Sequence, residues 1–517
     1  MSSVSLIYHR EELQHQHETL KMIMVSSYFK IFKQSLKIVY SIGDGVYYTP
    51  INKQKITEEM CSKIESEMKA FITSNEPIQV VSKPKDFLIS ELTKQNRLVA
   101  IEVVKRMNQD PIKCICIGSG TDVYYDFYFD QFCTDYSNIS LFTIIPYESG
   151  LLLRYPVITS PKDMTEFPPF SNNSQNSLFQ KICSDSISSL SSIPLEYIWQ
   201  FTESSFLSQY QTLIQRFENR HNEKLSEISS YIISQFPSRR VITIAGPSSS
   251  NKTTFAKRLA LELESKGFQT IVLEMDDYFY SNDDIPYQPD GTQDWEHISA
   301  LNVPLLSERV KILLKGESIP VRKFNFKLGI GEDHPELPSI ILPKQAFLIM
   351  EGIHGLNDIL LDSFGRNQVI PLFVTAIQPL ILDENHAFPL TYLRLIRRMI
   401  RDCKFRNNSP RDTLLRWASV RLGEEKNIFS FQHNAEKVFN SAYEYELPVL
   451  SGFVKDLLIE AQKPLEKENP ESREAKIISE EGKRIMNFLS FVGEIPQNDI
   501  PGLSFLREFI GGSDLKY

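Results

Sequence analysis

Nine residues, Gly246-Pro-Ser-Ser-Ser-Asn-Lys252-Thr253-Thr254, have the types and spacing needed to hold a phosphate. They follow an apolar run, VITIA, and lead into a helical pattern, FAKRLALELESKG. A loop in that place lets successive backbone N–H groups converge on phosphate oxygens, aided by the positive end of the helix. Lys252 would reach the outer phosphates, and the Thr253 hydroxyl would bind magnesium. Gly246, Ser248, Ser249, Ser250, Asn251, Lys252, Thr253 and Thr254 are therefore the candidate phosphate-binding set. Glycine is usual just before the lysine of such a loop, and here Asn251 takes its place. Asparagine is the next most tolerant residue of the left-handed backbone region. Its side chain should add bulk but no charge, so restoring glycine is expected to keep or raise activity.

Carboxylates follow two further apolar runs. QTIVLEMDDYFY places Asp276 and Asp277 just past a strand pattern, and AFLIMEGIHGL ends at Glu351. In open parallel sheets, ligands bind beyond the carboxyl ends of the strands. One carboxylate of the first pair could take a proton from an attacking hydroxyl, or help hold a metal. Glu351 stands where an acid orients the metal or its water, and Gly352 and Gly355 let the backbone turn closely. His354 reads as a packed or hydrogen-bonded histidine in preference to a base. In PLTYLRLIRRMIRDCKFRNNSPRD, Arg394, Arg397, Arg398 and Arg401 fall within a helical sector of roughly 100°. Within this helical pattern only Asp402 is available to neutralise them. Guanidinium forks suit a transferring phosphoryl group.

The elements that must position these groups follow from the patterning. From Val241 onward, the short apolar runs VITIA, TIVLEM, AFLIM and VIPLFVTAI alternate with helical stretches. A parallel sheet buried on both faces reads this way, so an α/β fold is expected over 239–455. Residues 1–155 mix helix and strand signals, an α+β domain, with a hairpin turn at Gly43 and Gly45 and a helix capped by Thr57. Two short strands flank ESG at 148–150. Residues 156–200 have the Ser, Pro and Asn content of a linker, 201–238 read as a helical connector and 456–517 as a helical extension. The whole chain has 517 residues, 42% apolar, with net charge −9. That is ample for two to four folded domains and a poor match to non-specific nucleic-acid binding. Six scattered cysteines form no disulfide framework, and Cys114 and Cys116 read as strand packing. No apolar run approaches a membrane span and no signal-peptide pattern opens the chain, so a cytoplasmic address is expected.

Residues 241–455 resemble the uridine kinase and phosphoribulokinase group of P-loop kinases, in its long form. IAGPSSSNKTTFAKRL, LEMDDYF, LIMEGIHGLN, RLIRRMIRDCKFR, GEEKNIFSFQHNAEKVFNSAYEYEL and SFLREFIGGS carry the likeness. The resemblance implies an ATP- and magnesium-dependent nucleoside kinase, with Thr253 and Glu351 near the metal. Asp276 is similar to the base that deprotonates the ribose 5′-hydroxyl, and Asp294 to the acid that holds the ribose hydroxyls. Asp277, Tyr278 and Phe324 join Asp294 around the acceptor. Arg398, Arg401 and Arg406 resemble lid arginines, Arg406 on the ATP side, and Lys252 is the loop lysine. Phe324 and Asn325 stand where related uridine kinases tend to have Tyr and Asp, which leaves the nucleobase open. Residues 7–155 resemble the second domain of threonyl-tRNA synthetases. That domain builds an editing site from histidines and a Cys-x-x-x-His pair. Here Cys133 is followed by Ser137, and His15 and His17 precede the helix, so a complete editing site is not expected. The residues alone also allow a sugar-phosphate or pantothenate kinase, a nucleotide-binding regulator with little turnover, or an RNA-binding protein. Oligomeric state stays open, a homo-oligomer included.

Overall fold

The computed structural model describes residues 3–42, 45–119, 123–127, 136, 139, 141–155, 182–185, 196–285, 294, 296–325, 328–378, 380–463, 469 and 472–516. Gly43, Cys133, Ser137 and most of the Ser/Pro-rich 156–200 stretch lie outside them. The chain forms two compact units. One comprises Met1–Ser208, Gln378–Tyr392 and Ala461–Glu494, the other Gln209–Ile377, Leu393–Glu460 and Ile495–Tyr517. The extension expected over 456–517 is thus no unit of its own. Its last stretch belongs to the body that carries the phosphate loop.

The first unit is α+β. Strands Leu36–Ile42, Gly45–Pro50, Gly150–Arg154 and Thr143–Tyr147 pair antiparallel in that order, and Ile78–Lys83, Ile112–Ile117 and Tyr124–Phe127 form a second antiparallel sheet. Gly45, expected in a turn, is a strand residue facing Ile42 and Arg154. It thus closes the expected hairpin, and a Cβ there would lie 2.6 Å from the Leu153 carbonyl oxygen of the next strand, which also favours glycine. The helix Glu58–Thr73 starts as expected: the Thr57 hydroxyl accepts from the Met60 N–H at 3.3 Å, and Glu58 and Glu59 fill its first turn. Ile23, Met24, Tyr28, Ile64, Met68, Leu151 and Leu153 meet in the core of this unit.

A buried charge cluster sits within it. Arg97 pairs with Asp126 at 2.7 Å and Asp383 at 3.2 Å. His386 Nδ1 lies 2.9 Å from Asp383, and Asn385 donates to Asp126 at 2.7 Å. The Glu384 carboxylate accepts the N–H groups of Val99 and Ala100.

The second unit holds five parallel strands in the order Lys437–Asn440, Val369–Thr375, Val241–Ala245, Ala346–Glu351 and Gln269–Glu274. Four of them are the apolar runs picked out above. The first was not expected as a strand. The three central strands are buried throughout, which is why they read as unbroken apolar runs. Leu306, Val310 and Leu313 of the helix Val303–Leu314, with Leu360, Leu361 and Phe364, pack against Val241, Leu348, Met350 and Val369 of the sheet. Val321–Asn325 and Ile330–His334 add an antiparallel hairpin. Among the described residues, no helix is long and apolar enough to cross a membrane.

The charge cluster of the first unit has a pH signature. Burial alone would discourage the His386 imidazolium, but Asp383 and Asp126 outweigh it and raise its pKa to about 9. Between the ordinary histidine pKa and about 9, the folded unit holds a proton that the unfolded chain has lost. The stability from this proton is complete below about pH 6.5 and is lost as pH rises toward 9. Thermal melts of the wild type should therefore fall across that window, and His386→Gln should melt lower at pH 6.5 with a flatter pH dependence. An unchanged slope in the variant would contradict this assignment.

Candidate active site

The phosphate loop leaves the central strand at Gly246. A Cβ there would sit 2.1 Å from the Val374 carbonyl oxygen, so only glycine lets the loop turn beside the neighbouring strand. Two non-glycine residues take left-handed backbone, Ser249 with φ 59° and Asn251 with φ 68°. Asn251 then serves as the N-cap residue of the helix Lys252–Ser265. The hydroxyls of Ser249 and Ser250 are buried with no hydrogen-bond partner among the described residues. Buried polar atoms are rarely left so, and a hydroxyl can donate to a phosphate oxygen. Lys252 Nζ donates to the Pro247 carbonyl at 3.2 Å. Burial lowers its pKa, against the opposing pull of Glu351, Asp276 and Glu508. The Thr253 hydroxyl donates to Glu351 at 2.6 Å, so a hydroxyl and a carboxylate suited to magnesium stand side by side.

Glu351 ends the strand next to the loop, and burial, with Asp276 and Glu274 nearby, raises its pKa to about 7. Asp276 follows the next strand out. It is open to solvent in the cleft, yet enough protein surrounds it to raise its carboxyl pKa, with Glu274 and Asp277 adding to the shift and Lys252 opposing it. Asp277 differs sharply. Lys323 pairs with it at 2.7 Å and the Phe324 N–H donates to it at 3.2 Å, so it anchors the hairpin. The two adjacent acids are thereby separated, one free in the cleft and one structural.

On the acceptor side, Asp294 accepts the Glu296 N–H at 3.0 Å and takes Lys426 at 3.3 Å. Tyr278, expected around the acceptor, has its ring packed with Met275, Ile298 and Leu301. Phe324 is buried edge-on to Phe279, beside Ile285 and Ala300. Sequence reading passed over Glu296. Its carboxylate is packed on Gly423, where any Cβ would collide with it. Burial, Asp294 and Glu424 raise its pKa to about 7, with Arg398 opposing. Its place two residues after Asp294 was the one available signal.

The arginine face divides in two. Arg394 and Arg397 turn inward and are buried. Arg394 makes a paired contact with Glu424, at 2.5 and 2.9 Å, and also donates to the Ser248 carbonyl at 3.1 Å. Burial would raise the Glu424 carboxyl, but Arg394 and Arg421 hold it below the usual carboxylate range, and it also accepts the Ser248 N–H at 2.9 Å. Arg397 pairs with Glu446 through two nitrogens and donates to the Ser249 carbonyl at 3.2 Å. The neutralising acids thus come from other segments, which the composition of one helix could not reveal. Arg398, Arg401 and Arg406 remain nearer the cleft and share Asp402, at 3.3, 3.2 and 3.6 Å. Arg398 also reaches the Ser248 hydroxyl at 2.8 Å.

Asn251 joins these parts. Its amide nitrogen donates to the Phe505 carbonyl and to Glu508, each at 2.9 Å, and its amide oxygen accepts from Arg397 at 2.8 Å. Glu508 also accepts from the Thr254 hydroxyl and lies 3.9 Å from Arg401. The Arg397 guanidinium stacks over the Phe509 ring. SFLREFIGGS is therefore wall and support of the phosphate loop. The expectation that the asparagine side chain is merely accommodated is corrected.

A parallel sheet with a lysine-bearing phosphate loop at the end of its central strand is the P-loop kinase fold. Residues 241–441 match the family model described as Phosphoribulokinase / Uridine kinase family. The chain is 28% identical to a uridine kinase of Deinococcus deserti over 174 residues, covering 34% of this chain and 73% of that protein. It is 27% identical to a uridine kinase of Ureaplasma parvum serovar 3 over 180 residues, covering 35% and 77%. Among solved structures, a possible uridine kinase from Bacillus stearothermophilus aligns at 17% identity and TM-score 0.25, over 29% of this chain and 79% of that one.

Asn251→Gly separates the two readings of the loop. Glycine relieves a left-handed backbone cost on the order of 1 kcal/mol. It also removes three hydrogen bonds, two of them to buried or half-buried charged groups, each worth about 1.5–3 kcal/mol. The losses outweigh the relief, so the variant should melt lower and bind ATP several-fold more weakly. Calorimetric titration with ATP checks this; retained or improved affinity would contradict it.

Proposed function

We propose that this chain is an ATP-dependent kinase that phosphorylates the 5′-hydroxyl of a nucleoside, uridine or a close relative. One observation carries the reading. The Ser249–Lys252 loop, Glu351 and Asp276 lie at the carboxyl ends of three adjacent parallel strands. Magnesium-bound ATP would supply the phosphoryl group, held by the loop N–H groups, Lys252 and the two orphan serine hydroxyls. Thr253 and Glu351 are the residues suited to the metal. Asp276 receives the proton of the attacking hydroxyl, a role its raised pKa favours. Arg398, Arg401 and Arg406 share Asp402, and Glu508 lies 3.9 Å from Arg401, so three guanidinium groups meet two carboxylates and the surplus positive charge suits the charge developing on the phosphoryl group. Glu296 and Asp294 offer carboxylates to sugar hydroxyls. The same proposal takes the cytoplasm as the location and residues 7–155 as a synthetase-like domain without a complete editing site.

Asp276 would serve any primary alcohol, so the acceptor is decided by ATP consumption against a panel of nucleosides, sugar phosphates and pantothenate. Uridine should be turned over. Asp276→Asn should bind ATP as the wild type does and lower kcat on the order of 10²-fold or more. Asp277→Asn should act mainly on stability, because its carboxylate anchors the hairpin. A larger kcat loss in Asp277→Asn would exchange the two roles, and turnover of pantothenate or a sugar phosphate alone would reassign the acceptor.

A further inference from the structure

His354 is a buried histidine without a partner among the described residues. It is 2% exposed, and among the described residues neither ring nitrogen has a hydrogen-bond partner. Leaving a buried donor or acceptor unmade costs about 1–3 kcal/mol, so such a side chain calls for a cause. The turn that carries it is held tightly. Gly352 donates to the Ile244 carbonyl at 3.1 Å, and a Cβ on Gly352 would lie 2.7 Å from the Met275 Cβ. A Cβ on Gly355 would lie 2.8 Å from the Ile244 carbonyl oxygen. His354 is thus fixed between the strand that feeds the phosphate loop and the turn that carries Asp276. The titratable groups acting on it are His297 and Asp294, both on the acceptor-side segment. Burial, with His297 adding, brings its pKa down to about 4, so the ring is neutral near pH 7, with one N–H donor and one bare nitrogen acceptor.

A hydroxyl group both donates and accepts, and so matches a neutral imidazole. Nearby Glu296 and Asp294 can only accept when ionised. A vicinal diol satisfies both kinds of group at once, one hydroxyl donating to a carboxylate and the other taking the imidazole N–H. We propose that His354 contacts the sugar diol of the acceptor and selects ribonucleosides over deoxynucleosides. This rests on the kinase reading above and deepens it. Sites built to hydrogen-bond a substrate hydroxyl discriminate strongly against the analogue lacking it.

The test uses the full-length chain. His354→Leu fills the volume without polar atoms, and His354→Asn keeps one donor and one acceptor. In His354→Leu the KM for uridine should rise about tenfold or more, equivalent to about 1.4 kcal/mol, while the KM for ATP stays within about twofold. Its preference for uridine over 2′-deoxyuridine should shrink, and His354→Asn should recover part of both. An unchanged uridine KM and preference, or equal losses for ATP and uridine with a lower melting temperature and no recovery in His354→Asn, would overturn the inference. A binding readout needs no turnover. In wild-type protein labelled with 15N-histidine, uridine alone should shift the ring signals of His354. A shift without phosphorylation would keep this contact and remove the kinase reading. Phosphorylation with an unmoved His354 signal would do the reverse.

Discussion

The phosphate loop is held by a buried amide. Asn251, 1% exposed, is tied on one side to Arg397 and on the other to Glu508 and the Phe505 carbonyl. Arg397 is fully buried, so its guanidinium must be satisfied in full or cost heavily. Glu446, Ser441, the Ser249 carbonyl and Asn251 do so together. Buried ion pairs of this kind add little net stability, but they fix geometry when every polar atom is paired. Here the geometry fixed is that of a loop with two left-handed non-glycine residues. Such a loop needs support from outside itself, and the arginine helix and the C-terminal segment provide it.

The same support organises the charge of the cleft. Carboxylates crowd Lys252: Glu351 and Asp276 are both shifted toward the protonated form, and Glu508 lies behind the loop. Arg394 and Arg397 are neutralised by Glu424 and Glu446 and serve the backbone of the loop. Under the proposed function, the three arginines that share Asp402 supply positive charge for an incoming polyanion. Arg394 and Arg397 are thus committed to acids of other segments, while Arg398 and Arg401 of the same helix share Asp402.

What the sequence revealed follows the range of the interactions involved. VITIA, AFLIM and VIPLFVTAI were legible because strands buried on both faces need unbroken apolar runs. The phosphate loop was legible because its chemistry lies within nine consecutive residues. The left-handed backbone at Asn251 followed from its place before the lysine. Its side-chain role did not, because its partners lie 254 and 257 residues away. Arg394 and Arg397 were misread for the same reason, their acids being 30 and 49 residues distant. Lys437–Asn440 escaped notice because a four-residue strand with two apolar residues gives no periodic signal. Glu296 and Asp277 show that neighbours with similar chemistry are told apart only by what surrounds them.

The central claim is that the phosphate loop draws its geometry from the C-terminal segment through Asn251 and Glu508. A double-mutant cycle on ATP affinity tests it most directly, comparing wild type, Asn251→Gly, Glu508→Gln and the double variant by calorimetric titration. The account predicts a coupling energy of about 1 kcal/mol or more between the two positions, because both substitutions break one shared support. Losses that add independently, to within about 0.5 kcal/mol, would contradict it.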